Sequence, residues 1–263
     1  MSQRPLILVT NDDGINSPGL AAAARGALKV GEVVIAAPNF QQTAMGRAYP
    51  HRDDLGVIDV VNIDIGTGHP VEAYAVHGSP GYAAAYGVAE ICPKIKGRKP
   101  DITVSGINTG ANCGSSITSS GTIGAALESV DMGVPALAMS LEILDYDLRE
   151  PDFSDLDFAS AEAATEYWVR YILEKGMPRD ADFLNVNVPE ENVGPEEFVF
   201  TFLETHPYYK AQPVPERDWS QPYRIRFDSE FGDKDVRAGS DIHTLHFLRK
   251  TSVTPITIDM TKW

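Results

Sequence analysis

Four short stretches of this chain carry side chains suited to one kind of chemistry. The first, LILVTNDDG from Leu6, runs a hydrophobic segment straight into Asn11, Asp12, Asp13 and Gly14. Asn, Asp and Gly readily supply turns, but a turn has little use for two adjacent carboxylates. The second, AAPNFQQTAMGR, brings Asn39 and the hydroxyl of Thr43, and the third, VSGINTGANCG, brings Ser105, Asn108 and Asn112. Carboxylates, hydroxyls and amide oxygens are hard donors, suited to Mg²⁺, Mn²⁺ or Ca²⁺ rather than to zinc. In the fourth, SSGTIGAALES, Ser119, Ser120, Gly121 and Thr122 open a helix, whose free N–H groups and positive dipole end suit a phosphate. A metal rim facing a phosphate cradle is the equipment for phosphoester hydrolysis. The glycines at 106, 110 and 114 do not follow the GxGxxG order, and no GxxxxGK[ST] occurs, so dinucleotide and P-loop readings are poor.

These groups meet only if a parallel sheet holds them. Leu6–Val9, Val33–Ala37, Ile102–Ser105 and Ala136–Ser140 are near-continuous apolar runs, the pattern of strands buried on both faces. The Ala-rich segment from Pro18 to Gly31 predicts a helix between the first two, which makes a βαβ unit. Ligands of open α/β sheets bind beyond the carboxyl ends of the strands, where the candidate residues fall. Val57–Ala75 alternates apolar and polar residues around GTGHP and predicts a hairpin beside the sheet. Helices are expected over Tyr82–Ile91, Gly124–Val130 and, capped by Ser154, Ser154–Lys175, with a further strand at Phe183–Pro189. The fold expected is α/β, a three-layer Rossmann-like core of mostly parallel sheet over residues 1–189. Beyond it, residues 190–263 (FVFTFL, YRIRF, HTLHFL and SVTPITI) predict a β-rich extension with a closing strand.

The 263 residues carry a net charge of -15, and 43% are hydrophobic. That charge disfavours nucleic acid and anionic membrane surfaces as partners, and the basic run KIKGRK, Lys94–Lys99, reads as a solvated loop. Cys92 and Cys113 form no CxxC pair, so neither zinc nor a disulfide framework is indicated. No signal peptide or membrane span is evident, which predicts a cytoplasmic protein. His243 and His246 lie three apart on an expected strand and so face opposite sides. His51, His69, His77 and His206 read as structural.

TNDDG, AAPNFQQTAMG, DITVSGINTGANCG and SGTIGAALES, in this order over roughly residues 5–141, resemble the signature set of the SurE family of survival-protein nucleotidases, and SVTPITID resembles that family's closing strand. The resemblance implies one divalent cation, Mg²⁺ or Mn²⁺, per subunit, with ligands Asp12, Asp13, Thr43 and Asn108. It places the catalytic centre at Asp12, Asp13 and Asn108, and phosphate contacts at Ser120, Gly121 and Thr122, to which we add Asn112 on the same rim. It further implies hydrolysis of nucleoside 5′- or 3′-monophosphates, and the segment after Pro189, whose many aromatics and short strands are too extended to bury themselves on one subunit, predicts assembly as a homodimer or homotetramer. Three departures stand out: Thr43 where the family usually has Ser, GSPGYAA from Gly78 where it tends to have GTPADCV, and an end at Trp263 where many members continue with a helix. A covalent aspartyl-phosphate is the competing mechanism on the residues alone. Two other functions compete, a non-catalytic nucleotide sensor and an oligomeric interaction protein built on HPYYKAQPVPERDW.

Overall fold

The computed structural model describes residues 4–144, 156–191, 193–229, 232–259 and 261. Strand β1 (Leu6–Thr10) is buried along its whole length and sits mid-sheet. Its side chains alternate between two cores. Ile7 and Val9 pack with Leu20, Ala23 and Trp168 on one face, and Leu6 and Leu8 pack with Val34, Val76 and Val88 on the other. A strand with an apolar partner on each side has to be apolar throughout.

Helix α1 (Pro18–Leu28) follows, with Pro18 in its first turn and the Ser17 hydroxyl accepting from the Leu20 amide. Next come β2 (Glu32–Pro38) and the antiparallel hairpin of β3 (Ile58–Ile63) and β4 (Val71–Val76). Helices α2 (Pro80–Tyr86) and α3 (Cys92–Lys96) are joined by a wider helical turn at Gly87–Ile91. The basic run is therefore only partly a loop, since Lys94 and Lys96 close α3 ahead of Gly97, whose φ is 72°. Then follow β5 (Ile102–Thr109), α4 (Gly121–Asp131), β6 (Ala136–Leu141), α5 (Ala159–Lys175) and β7 (Phe183–Val188). The Ser154 cap lies outside the described residues; α5 itself starts later than expected, after the buried Phe158.

Strands β8 (Phe198–Phe200) and β11 (Thr251–Ile256) complete one nine-stranded sheet, in the order β3-β4-β2-β1-β5-β6-β7-β11-β8. The run from β4 to β7 is parallel, and β11 lies antiparallel to β7. Helices α1 and α5 pack together on one face and α2 and α4 on the other, which gives the three layers of a Rossmann-like fold. Among the described residues no helix is long and apolar enough to cross a membrane.

The C-terminal part departs from expectation in two places. YRIRF contributes only its last residue, Phe227, which with Asp228 forms strand β10 of a two-stranded ribbon with β9 (Lys210–Ala211). HTLHFL is helical over His243–Phe247, because Ser240 caps it by accepting from the His243 amide at 3.2 Å while Ile242 and Leu245 are buried on one face. The opposite-face argument for His243 and His246 fails accordingly; they nonetheless contact different acids, Asp233 at 3.5 Å and Glu142 at 3.3 Å.

This segment is bound to the sheet through buried acids. Glu142 accepts from the Tyr208 hydroxyl at 2.8 Å and pairs with Arg249 at 2.5 Å. Asp241, fully buried, accepts from the amides of Gly114 and Glu204 at 2.8 Å and of Ile242 at 2.9 Å. Burial pushes its carboxyl up to about 6, against the pull of those three amides. Asp241→Ala leaves three buried donors unpaired, and at roughly 1–3 kcal/mol each the expected loss of unfolding free energy in urea is about 3 kcal/mol or more. Asp241→Asn, which keeps an acceptor oxygen, is expected to lose less. Parent-like stability in Asp241→Ala contradicts the anchoring role.

Candidate active site

The turn after β1 is made by Asn11 and Gly14, which frees the residues between them. Asn11 donates to the Gly14 carbonyl at 3.1 Å and to the Ser17 hydroxyl at 2.7 Å, and its Oδ1 accepts from the Gly14 amide at 3.1 Å. Gly14 has φ 95°, and a Cβ there would meet the Phe40 backbone at 3.0 Å, so only glycine fits. Asp12 and Asp13 are thus held at the sheet's carboxyl edge by a turn that does not use their carboxylates.

Asp12 Oδ1 accepts from the Thr122 hydroxyl at 2.7 Å. A Cβ on Gly121 would lie 2.6 Å from the Asp12 Cβ and 2.8 Å from its Oδ2, so glycine is what lets α4 begin directly against this carboxylate. Asp13 Oδ2 accepts from the Thr109 amide at 3.1 Å. Burial, and secondly the charge of Asp13, push Asp12 up to about 7; burial also raises Asp13. Among the described residues no Lys, Arg or His is ion-paired with either carboxylate. An uncompensated pair of this kind, Asp12 buried and Asp13 half-buried, fits a bound cation, and its oxygen donors fit a hard divalent one.

The remaining expected ligands lie on adjoining loops. Asn108, at the end of β5, donates through Nδ2 to the Gly110 carbonyl at 2.7 Å, which leaves Oδ1 as its free end. Thr43 is exposed on a loop strapped down at both ends. The Gln42 amide donates to the Asp12 carbonyl at 2.7 Å, and the Gly46 amide donates to the Ser119 carbonyl at 2.9 Å. Arg47 then pairs with Glu128 at 2.7 Å and with Asp131 at 2.5 Å on α4. The strap brings the Thr43 loop to Asp12 and to the start of α4 together.

At that start, Ser120 caps α4 by accepting from the Ile123 amide at 3.2 Å. Ser120 only accepts in the cap and keeps its O–H to donate, while the Thr122 hydroxyl is given to Asp12, so the donors a phosphate finds here are backbone N–H groups and the Ser120 hydroxyl. Asn112 is engaged inside the sheet rim. Its Nδ2 donates to Ser140 at 3.0 Å, its amide donates to Asn187 at 2.7 Å, and its carbonyl accepts from Asn185 at 2.8 Å. The structure thus brings Asp12, Asp13, Gly121 and Thr122 together, strings Thr43 and Asn108 beside them, and sets Asn112 into a separate network.

Sequence reasoning missed several supports. The Asn185 and Asn187 pair was signalled by the alternation in FLNVNVP, with both amides on one face. The Gly46–Ser119 strap had no local signal, nor did Asp241 reaching Gly114 across 127 positions.

An α/β fold of this topology, with paired acids at a strand end beside a helix N-terminus, is a Rossmann-like fold. A family model described as Survival protein SurE matches residues 7–209. A protein of Methanobrevibacter smithii named 5′-nucleotidase SurE is 38% identical over 260 residues, covering 97% of this chain and 95% of the relative. One of Methanocella arvoryzae with the same name is 37% identical over 270 residues, covering 97% and 92%. The crystal structure of SurE protein from Aquifex aeolicus superposes with a TM-score of 0.71 at 28% identity, covering 98% of this chain and 95% of that one. The chain belongs to the SurE family.

Gly124 is the test of the strap, because a Cβ there would sit 2.3 Å from the Gly46 carbonyl oxygen. Gly124→Ala is expected to push the Thr43 loop off α4, speeding hydrogen exchange at the Gly46 and Gln42 amides and lowering the melting temperature by several degrees. Unchanged exchange at both amides contradicts this.

Proposed function

We propose that this chain is a divalent-cation-dependent phosphomonoesterase that converts nucleoside 5′-monophosphates, and also 3′-monophosphates, to nucleoside and phosphate. The observation that carries the reading is the uncompensated pair of buried Asp12 and half-buried Asp13, set against the first turn of α4. The 5′-nucleotidase names of relatives spanning nearly the whole chain support the substrate class. Mg²⁺ or Mn²⁺ is the cation, one per subunit, held by Asp12, Asp13, Thr43 and Asn108. When bound, it supplies Lewis-acid polarisation of the phosphoryl group and a more acidic water.

The chain's own residues do the rest. The backbone N–H groups of Gly121 and Thr122 receive the phosphate oxygens and stabilise their growing negative charge, and Thr122 fixes the Asp12 carboxylate by its hydroxyl. Asn108 presents its oxygen because its amide nitrogen is tied to Gly110. A site matched to one phosphate on a chain of charge -15 suits small monophosphates and not nucleic acid. Two free, buried cysteines, Cys92 and Cys113, fit a cytoplasmic setting.

Asp12→Asn and Asp13→Asn are each expected to lower turnover of AMP by at least about a hundredfold, with circular dichroism unchanged. Thr43→Ser is expected to bind Mn²⁺ like the parent and Thr43→Val more weakly, since valine keeps the shape and loses the oxygen. Near-normal turnover in both aspartate variants at saturating metal would sink the proposal.

Assembly as a homodimer or homotetramer belongs to the same proposal. Trp219 is 89% exposed, and Val214, Ile225 and Phe227 are also exposed around the β9–β10 ribbon. So many large apolar groups in one segment call for a partner surface, and a second copy is the partner proposed. Light scattering at micromolar concentration is expected to give at least twice the 28.6 kDa chain mass; a monomer mass contradicts it.

A further inference from the structure

We infer that the cavity beside Asp13 receives the nucleoside part of the substrate and that the base stacks on Phe40. The inference rests on the phosphomonoesterase reading and extends it to the residue that separates nucleotides from other phosphate esters. The cavity measures about 360 Å³, within the usual range for small-molecule sites. Asp13 and Gly14 form one end of its lining, Asn39, Phe40 and Gln41 another, and Asn16 lies on its rim. A phosphate held at Asp13 and the α4 terminus therefore has its ester group next to this space.

Phe40 is 47% exposed and no other aromatic ring packs against it among the described residues. Its ring is nonetheless held. The Arg52 guanidinium lies over one face, 4.9 Å from the centroid. Arg52 is fixed in turn by a two-pronged pair with Asp54 at 3.0 and 3.1 Å, and Asp54 also binds His77 at 2.9 Å. The Phe40 backbone packs on Gly14, so ring and metal-site turn move as one piece. With one face occupied by a cation and the side chain still half exposed, the remaining face is a prepared stacking surface. Asn39 is also on the lining.

A second cavity of about 510 Å³ shares the wall from Ile15 to Pro18, but it contains neither aspartate of the site, and its Arg25 is neutralised by Glu162 at 2.7 Å. The smaller cavity joins the Phe40 ring to Asp13. Stacking on a ring accepts any base. The pocket is thus built to recognise that a base is present and not which one.

The test compares AMP with ribose 5-phosphate, which keeps the sugar and phosphate and lacks the base. In the full-length protein with Mn²⁺, the ratio of kcat/KM for AMP to that for ribose 5-phosphate is expected to fall about tenfold or more in Phe40→Ala and to be retained in Phe40→Trp. Calorimetric binding of adenosine is expected to weaken in Phe40→Ala in the same proportion. An unchanged ratio in Phe40→Ala overturns the stacking role. If the parent hydrolyses neither ester, the phosphomonoesterase reading fails by itself, and adenosine binding decides the present inference: loss in Phe40→Ala with retention in Phe40→Trp upholds it, and equal or absent binding in parent and Phe40→Ala overturns it.

Discussion

Two carboxylates on consecutive residues, Asp12 buried and Asp13 half-buried, with no Lys, Arg or His among the described residues paired to either, raise each other's free energy when ionised, and the architecture around them is arranged to hold them there. Asp12 and Asp13 stay in place because Asn11 and Gly14 build the turn, because Thr122 and the Thr109 amide each take one oxygen, and because Gly121 has no side chain to displace Asp12. The carboxylates follow β1, and these partners come from the end of β5 and the start of α4. The sheet order, with β1 between β2 and β5, is what makes those ends neighbours. Strand order thereby becomes chemistry at one rim.

The C-terminal segment serves the same rim from outside. Asp241 holds Gly114, and the Ser116 hydroxyl accepts from the Tyr208 amide at 3.1 Å, so the loop between β5 and α4 is gripped by residues that follow it by nearly a hundred positions or more. A Cβ on Gly110 would meet the Tyr209 hydroxyl at 3.0 Å, which places that ring over the turn after Asn108. Strand β11, antiparallel to β7, ties the segment into the sheet that carries the site.

How much of this was legible follows from what each residue must satisfy locally. Strands β1, β2, β5 and β6 were readable because burial on both faces demands near-continuous apolar runs, and the β3–β4 hairpin because of its alternation around a turn. Asp12 and Asp13 stood out because two adjacent carboxylates exceed what a turn requires, whereas Ser120 and Thr122 are ordinary cap residues that stood out only beside the other segments of the same rim. HTLHFL was misread because a short apolar-polar alternation also fits a strand; the Ser240 and Asp241 cap ahead of it was the better signal. YRIRF was misread because its residues are exposed and bury no face at all. Asn112 has the type of a phosphate ligand, but its place was decided by Ser140, Asn185 and Asn187, and no local pattern around Asn112 shows that competition.

The central claim is that one cation and one helix N-terminus together receive a single phosphate, and phosphate release measured under a change of metal and of charge tests it most directly. Inorganic phosphate is followed from AMP, GMP, CMP, UMP, a 3′-monophosphate, ATP and intact DNA, each with Mn²⁺ and again with a chelator. The account predicts release from the monophosphates with Mn²⁺, slower release from ATP, none from DNA, and loss of all release in the chelator. Faster release from ATP than from every monophosphate, or full activity in the chelator, would contradict it.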